Sequence, residues 1–236
     1  MEKPNALSFL LTGRFALFSD PVTRVGGEKC SYLAPTYEAL KGVCESIYWK
    51  PTFNWVVDRV RVLNPIQSQS KGMRPISLGA APATLSIYTY LRDVRYQVAA
   101  HIEWNERRPE LAHDRNENKH FFMAKRSIEK GGRRDIFLGT RECQGYVEPC
   151  AFGEGPGAYD GAGEMSFGLQ FHGFTYADEG DGRLVTRLWY PKMIDGVIDY
   201  CRPEECPVQR EIHEQPVKPF TLGENLLPVE REEAEP

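Results

Sequence analysis

Residues 116–132 read Asn116-Glu117-Asn118-Lys119-His120-Phe121-Phe122-Met123-Ala124-Lys125-Arg126-Ser127-Ile128-Glu129-Lys130-Gly131-Gly132. Phe121, Ala124 and Ile128 recur at helical spacing on one side, and the Gly131-Gly132 pair provides the stop. The elements on either side of this helix decide the fold. Upstream, Ser86 to Trp104 reads as a strand, carrying Ile87-Tyr88-Thr89-Tyr90 and Tyr96-Gln97-Val98-Ala99. Downstream, Asp135-Ile136-Phe137-Leu138-Gly139 reads as another. Before Ser86 lies a polar insert, 64–83, with Lys71, Arg74 and three prolines. Inserts of that length without structure of their own are usually functional or disordered.

Further out, Thr52 to Leu63 alternates as a strand through Phe53, Trp55, Val57, Val60 and Val62. A first helix starts at Thr36, a plausible N-cap, and carries Leu40, Val43, Cys44, Ile47 and Tyr48 at helical spacing. It must stop near Trp49-Lys50, because Pro51 disfavours helical backbone in the residue before it. Leu7 to Leu11 and Arg14 to Phe18 form the first strand, ended by Ser19-Asp20-Pro21. The order is β-α-β-β-α-β over residues 5 to about 142. That predicts an α+β chain with a ferredoxin-like (RRM-like) domain at 1–142, the pattern shared by RNA-recognition folds. A small antiparallel β-rich domain is expected at 143–202, from Leu169 to Phe174 and Leu184 to Tyr190. The Pro- and Glu-rich residues 203–236 are expected to form a loose acidic tail.

At 236 residues, with 41% apolar and 26% charged residues, the composition is that of a soluble globular protein. No apolar run is long enough to span a membrane, and Leu7 to Leu11 is too short for a secretory signal. A cytoplasmic protein is expected, with reduced thiols at Cys30, Cys44, Cys143, Cys150, Cys201 and Cys206. The gaps within Cys143/Cys150 and Cys201/Cys206 do not match a tight zinc knuckle, so no metal site is expected. The net charge is −4, but it is unevenly spread. The tail from Gly223 alone sums to −4, whereas Arg115 to Arg141 holds eight basic residues against three acidic ones. Such a bipolar chain can hold an anion on one face; a solvated helix face with an acidic tail has the same pattern, and charge does not choose between them.

In the expected fold the first and third strands are antiparallel neighbours, so the C-terminus of helix one lies beside the N-terminus of helix two. Tyr48 and Lys50 at the first, and Lys119 and His120 at the second, would then converge from about seventy residues apart. The helix start also offers unpaired N–H groups and the positive end of the dipole to a phosphate. Tyr, Lys and His together suit metal-free RNA cleavage. An imidazole can protonate a leaving 5′-oxygen. An ammonium can stabilise the phosphorane, and a phenol can orient or deprotonate the 2′-hydroxyl. The same residues equally suit packing and surface roles. Gly153 to Gly168 is no P-loop; it is a flexible connection or a place of close backbone approach. His172, between Phe171 and Phe174, is expected to pack within a strand.

Three groups of residues carry a resemblance. The first runs from Gly13-Arg14-Phe15-Ala16-Leu17-Phe18-Ser19-Asp20-Pro21 to Pro35-Thr36-Tyr37-Glu38-Ala39-Leu40-Lys41-Gly42. The second is Glu45-Ser46-Ile47-Tyr48-Trp49-Lys50-Pro51 with Trp55-Val56-Val57-Asp58-Arg59-Val60. The third is Asn118-Lys119-His120 with Arg141-Glu142-Cys143, and more loosely Phe167-Gly168-Leu169 to Trp189-Tyr190. The chain resembles the d-type Cas-five family of subtype I-C CRISPR systems.

The resemblance implies a metal- and cofactor-independent endoribonuclease that recognises the hairpin of CRISPR repeat RNA and cuts at its 3′ base. It further implies that the protein stays on the guide RNA's 5′ handle. There it joins the backbone and large subunits of the interference complex, meeting target DNA only indirectly and no membrane. The family's catalytic tyrosine, lysine and histidine fall on Tyr48, Lys119 and His120. The insert at 64–83 corresponds to a thumb-like hairpin that grips handle RNA, which makes Lys71 and Arg74 contact candidates. Arg24 and Lys29 in the first strand-to-helix loop, Lys50, and Lys125 and Arg126 on helix two complete the expected RNA contacts. Two alternatives are a handle-binding subunit without chemistry and a metal-dependent DNA nuclease. No clustered carboxylate-histidine motif supports the latter.

Overall fold

Two side chains open the two helices. Thr36 Oγ1 accepts the Ala39 N–H at 3.2 Å and Asn116 Oδ1 accepts the Lys119 N–H at 3.0 Å, each satisfying a donor that the first helical turn leaves unpaired. The structure, a computed structural model, describes residues 5–74, 85–177 and 179–214. In chain order its elements begin with β1 (Leu7–Ala16), β2 (Lys29–Cys30), α1 (Tyr37–Ile47) and β3 (Phe53–Val62). Next come β4 (Ser68–Met73), β5 (Ser86–Trp104), α2 (Glu117–Glu129), β6 (Ile136–Phe137) and β7 (Gln144–Pro149). The remainder are β8 (Glu164–Ser166), β9 (Gln170–Thr175), β10 (Arg183–Trp189), β11 (Lys192–Ile194), β12 (Val197–Asp199) and β13 (Val208–Glu214).

The architecture is mixed α+β, dominated by antiparallel pairing. One sheet runs β6-β7-β1-β5-β3-β12-β11-β8, with β2 and β4 also on β5; a second runs β13-β10-β9. β5 is the organiser. Its middle pairs with β1 (Phe9 opposite Val98) and its second half with β3 (Val60 opposite Val98). α1 buries Leu40, Val43, Cys44 and Ile47 against this sheet, each 2% exposed or less. A fully buried aliphatic side chain of this kind stabilises by about 1.5–3 kcal/mol. α2 buries His120, Ala124 and Ile128 in one row, with Phe121 at its margin.

Three expectations need correction. The expected fourth strand, 135–139, is only the two-residue β6, and the strand beside β1 is β7. Gly139 has φ +92 and a Cβ there would collide with the Leu17 carbonyl, so the chain turns back at this point. The turn is closed by Leu138 N–H to Cys143 O at 2.8 Å. The insert is not wholly irregular, because β4 pairs with β5 from Ser68 opposite Leu91 to Met73 opposite Ser86; residues 75–84 lie outside the described residues. The expected tail contains β13, whose Val208 lies opposite Leu188 of β10. Residues 215–236 lie outside the described residues.

The chain after residue 142 feeds both sheets: β7, β8, β11 and β12 enter the larger one, and β9, β10 and β13 make the smaller. The glycine-rich segment is pinned by Arg61, 7% exposed, whose guanidinium reaches the Asp160 carboxylate at 2.7 Å and the Gly155 carbonyl at 3.0 Å. The smaller sheet meets the start of α1, where Tyr37 stacks on His172 at 4.3 Å. No helix among the described residues is long and apolar enough to cross a membrane.

Candidate active site

Tyr48 is the first residue after α1 and leaves the helix in extended conformation, φ −161 and ψ 126. Pro51 follows closely, and the carbonyls at the helix end find donors from elsewhere. The backbone N–H groups of Arg133 and Arg134 both reach Ser46 O, at 3.2 and 3.1 Å. Trp55 Nε1 donates to the Tyr48 carbonyl at 2.7 Å. The phenol is thereby turned inward, wholly buried, with its ring 5.6 Å from that of Phe53.

His120 sits in the first turn of α2, on the row that faces the sheet, and is 0% exposed. Phe53 and Trp104 box its ring at 5.2 and 5.8 Å. Its Nδ1 is 2.9 Å from Tyr48 Oη, and its Nε2 is 2.8 Å from the Asp114 backbone carbonyl. A carbonyl can only accept, so Nε2 carries the proton. In the neutral imidazole Nδ1 is then an acceptor, and the Tyr48 hydroxyl donates to it. Burial first, and then the Asp114 charge, push the Tyr48 phenol above its usual value. It stays protonated, suited to fixing the imidazole's tautomer rather than to removing a proton.

Lys119 lies on the exposed side of α2 and pairs with the Asp114 carboxylate, which also accepts from Thr52 Oγ1 at 2.8 Å. Those two bonds, the Lys119 one foremost, hold the Asp114 carboxyl down to about 2. Asp114 ends the short 3₁₀ turn Pro109–Asp114, which covers the His120 Nε2 side. Tyr48 and His120 thus touch directly, and Lys119 joins them through Asp114.

The expected RNA contacts divide into two places. Lys29 of β2 and Lys71 of β4 both stand opposite Tyr88 of β5, from its two sides. The Lys29 ammonium lies 4.9 Å from the Tyr88 ring centroid, and that of Lys71 lies 3.3 Å from the Phe15 centroid. Arg74, just after β4, and Arg24, in the turn Thr23–Gly26, are exposed. Lys50, half-buried, follows Tyr48, and Lys125 and Arg126 are exposed on α2, so these three belong to the helix layer. Sequence reasoning missed Asp114 and Arg133. The Arg133 guanidinium lies 5.8 Å from the Tyr48 ring centroid. Its only signal was membership of the basic stretch, and Asp114 had none beyond being an acid ahead of a basic helix start.

The family described as CRISPR-associated protein (Cas_Cas5), d-type, matches residues 6–201. The chain belongs to that family. Among its relatives is a protein of Mannheimia succiniciproducens named CRISPR pre-crRNA endoribonuclease Cas5d, 32% identical over 148 residues. That match covers 54% of this chain and 64% of the relative, less than two thirds of its length. A Thermus thermophilus protein of the same name is 32% identical over 173 residues, 67% of this chain and 71% of that one. A solved structure described as a CRISPR-associated protein superimposes with a TM-score of 0.75 at 35% identity, covering 87% of this family member and 96% of the other.

Proposed function

We propose that the chain is a metal-independent endoribonuclease that cleaves CRISPR repeat RNA by attack of a 2′-hydroxyl on the adjacent phosphate. The observation that carries this reading is the Tyr48–His120 hydrogen bond at 2.9 Å beside Lys119. The names of the relatives point the same way. In the step, the 2′-oxygen bonds to phosphorus as the bond to the 5′-oxygen breaks, leaving a 2′,3′-cyclic phosphate. His120 enters the step as the imidazolium, its Nδ1–H directed at Tyr48 Oη, gives its Nε2 proton to the departing 5′-oxygen and is left as neutral imidazole, while the proton of the 2′-hydroxyl passes to solvent. Lys119 stabilises charge on the equatorial oxygens. Because His120 is fully covered, RNA reaches Nε2 only when the turn Pro109–Asp114 moves aside, with a phosphate taking the place of the Asp114 carboxylate on Lys119.

On this reading the ten-stranded sheet and two helices act as a ferredoxin-like RNA platform. Lys29 and Lys71 hold the 5′ handle, and the processed RNA keeps the protein in a type I-C interference complex with its backbone and large subunits. The test is incubation with repeat RNA in EDTA, wild type against His120→Ala. Cutting at one site that the variant loses supports the proposal, and metal-dependent cutting, or cutting by both, refutes it. A second reading, handle binding without chemistry, is favoured by the burial of Nε2 behind the Asp114 carbonyl. It predicts tight binding and no cutting by either protein.

A further inference from the structure

Away from the candidate active site, three side chains from separate elements converge. His172 lies on β9, Cys201 follows β12, and Cys206 follows the 3₁₀ turn Pro203–Glu205. A ring nitrogen of His172 and the two sulfurs all lie within 4.8 Å of one another. His172 is 0% exposed and Cys206 5%, with Cys201 half-buried.

We propose that His172, Cys201 and Cys206 form a zinc-binding site that joins the smaller sheet to the larger. The first support is the sulfur separation of 3.7 Å. Two thiolates on one tetrahedral zinc, at Zn–S of about 2.3 Å, are separated by about 3.8 Å. A disulfide would bring them to about 2.05 Å. The second support is the imidazole. Nε2 lies 3.0 Å from the Cys201 carbonyl, while Nδ1 is buried with no hydrogen-bond partner among the described residues. A carbonyl must receive a proton, so Nε2–H donates and the Nδ1 lone pair is unused. A buried polar atom left unused is unusual enough to need an occupant. A ligating histidine commonly anchors its other N–H on a backbone carbonyl in this way. Tyr37, stacked at 4.3 Å, and Trp189, edge-on at 5.6 Å, hold the ring in place.

The donor set selects the metal. Two sulfurs and one imidazole suit zinc rather than a hard cation such as magnesium or calcium. Binding releases the two thiol protons to solvent, and water takes the fourth position. The site lies at the start of α1, beside Tyr37, whereas Tyr48 caps its end. Eleven residues of helix place them about 16 Å apart. Zinc here braces the two sheets and takes no part in RNA cleavage. Neither cysteine gap marks the site in the sequence, because the third ligand is 29 residues upstream of Cys201. Cys143 and Cys150 are not part of it.

The experiment uses the full chain, without an affinity tag and kept reduced. Its metal content is measured by mass spectrometry, and cobalt(II) is then titrated into the chelator-stripped protein. Stoichiometric zinc, a thiolate-to-cobalt charge-transfer band, loss of both in Cys206→Ser and retention in Cys30→Ser are expected. Zinc-free protein that gives no such band on cobalt addition overturns the proposal, whether or not the serine variants fold. A mass two hydrogens lower under native conditions, mapped to Cys201–Cys206, also overturns it by showing a disulfide instead.

Discussion

Replacing Asp114 by alanine separates a side chain that covers the candidate active site from one that works in it. Three contacts of its carboxylate disappear, one of them the approach of Oδ2 to His120 Nε2 at 3.4 Å. The ion pair with Lys119 is half-exposed, with side-chain exposures of 46% and 22%, and such pairs are worth about 0.2–1 kcal/mol. The Thr52 hydroxyl bond adds about 0.5–1.5 kcal/mol. The backbone carbonyl on His120 Nε2 remains. The turn Pro109–Asp114 therefore opens more easily by about 1–2 kcal/mol, which is roughly a 5- to 30-fold larger open fraction. If RNA needs that opening, single-turnover cleavage at saturating protein, in EDTA, speeds up by as much. Amide hydrogen exchange across residues 109–115 should quicken in step. A folded variant that cuts tenfold more slowly refutes the reasoning, because it makes the carboxylate a participant. Faster exchange with an unchanged rate refutes it too, because the turn is then not what limits access.

Tyr48→Phe leaves His120 Nδ1 without a donor in a fully buried pocket, at a cost of about 1–3 kcal/mol. For a chain this long that lowers Tm by roughly 3–10 °C, read by calorimetry. Its cleavage loss should be far smaller than that of His120→Ala, for which removal of a general acid predicts about 10²–10⁴-fold; an equal loss would make the phenol a base. Lys71→Ala should weaken RNA binding and reduce the slope of log affinity against log salt by about 1, measured by filter binding. Asp114 titrates at about 2 when folded against its usual 3.8, so its contribution is whole above about pH 4 and disappears as pH falls toward 2. Wild type should therefore be more stable than Asp114→Asn at pH 5 in denaturant titrations, with the gap closing below pH 4.

The sequence showed those elements whose signals are local. Thr36 caps α1, Pro51 follows its end, Gly131 and Gly132 take positive φ after α2, and β5 begins and ends at the residues its alternation marks. Elements made by a partner strand were hidden. β4, Ser-Gln-Ser-Lys-Gly-Met, has no apolar alternation and is a strand only because β5 offers its edge. The apolar run at 136–138 looked like a strand, but the turn at Gly139 gives that place to β7. The pairing of helix ends was readable because antiparallel strands dictate it, and Tyr48 and His120 do meet. That their meeting point is roofed by Asp114 was not readable, since nothing in Pro109–Asp114 marks which side chain it will cover.

β5 also acts as a gauge. Near its start, Tyr88 stands between Lys29 and Lys71, and its last residue, Trp104, walls the imidazole of His120. Sixteen residues at about 3.3 Å each set an upper limit of roughly 50 Å between the two, shortened where Asp93 bends the strand at φ 49. The distance between where RNA is proposed to be gripped and where it is proposed to be cut is thus written in the covalent length of a single strand. Inserting two residues into β5 would lengthen it by about 7 Å while keeping every side chain on its own face. A relative with a shorter or longer β5 would measure out a different stretch of RNA.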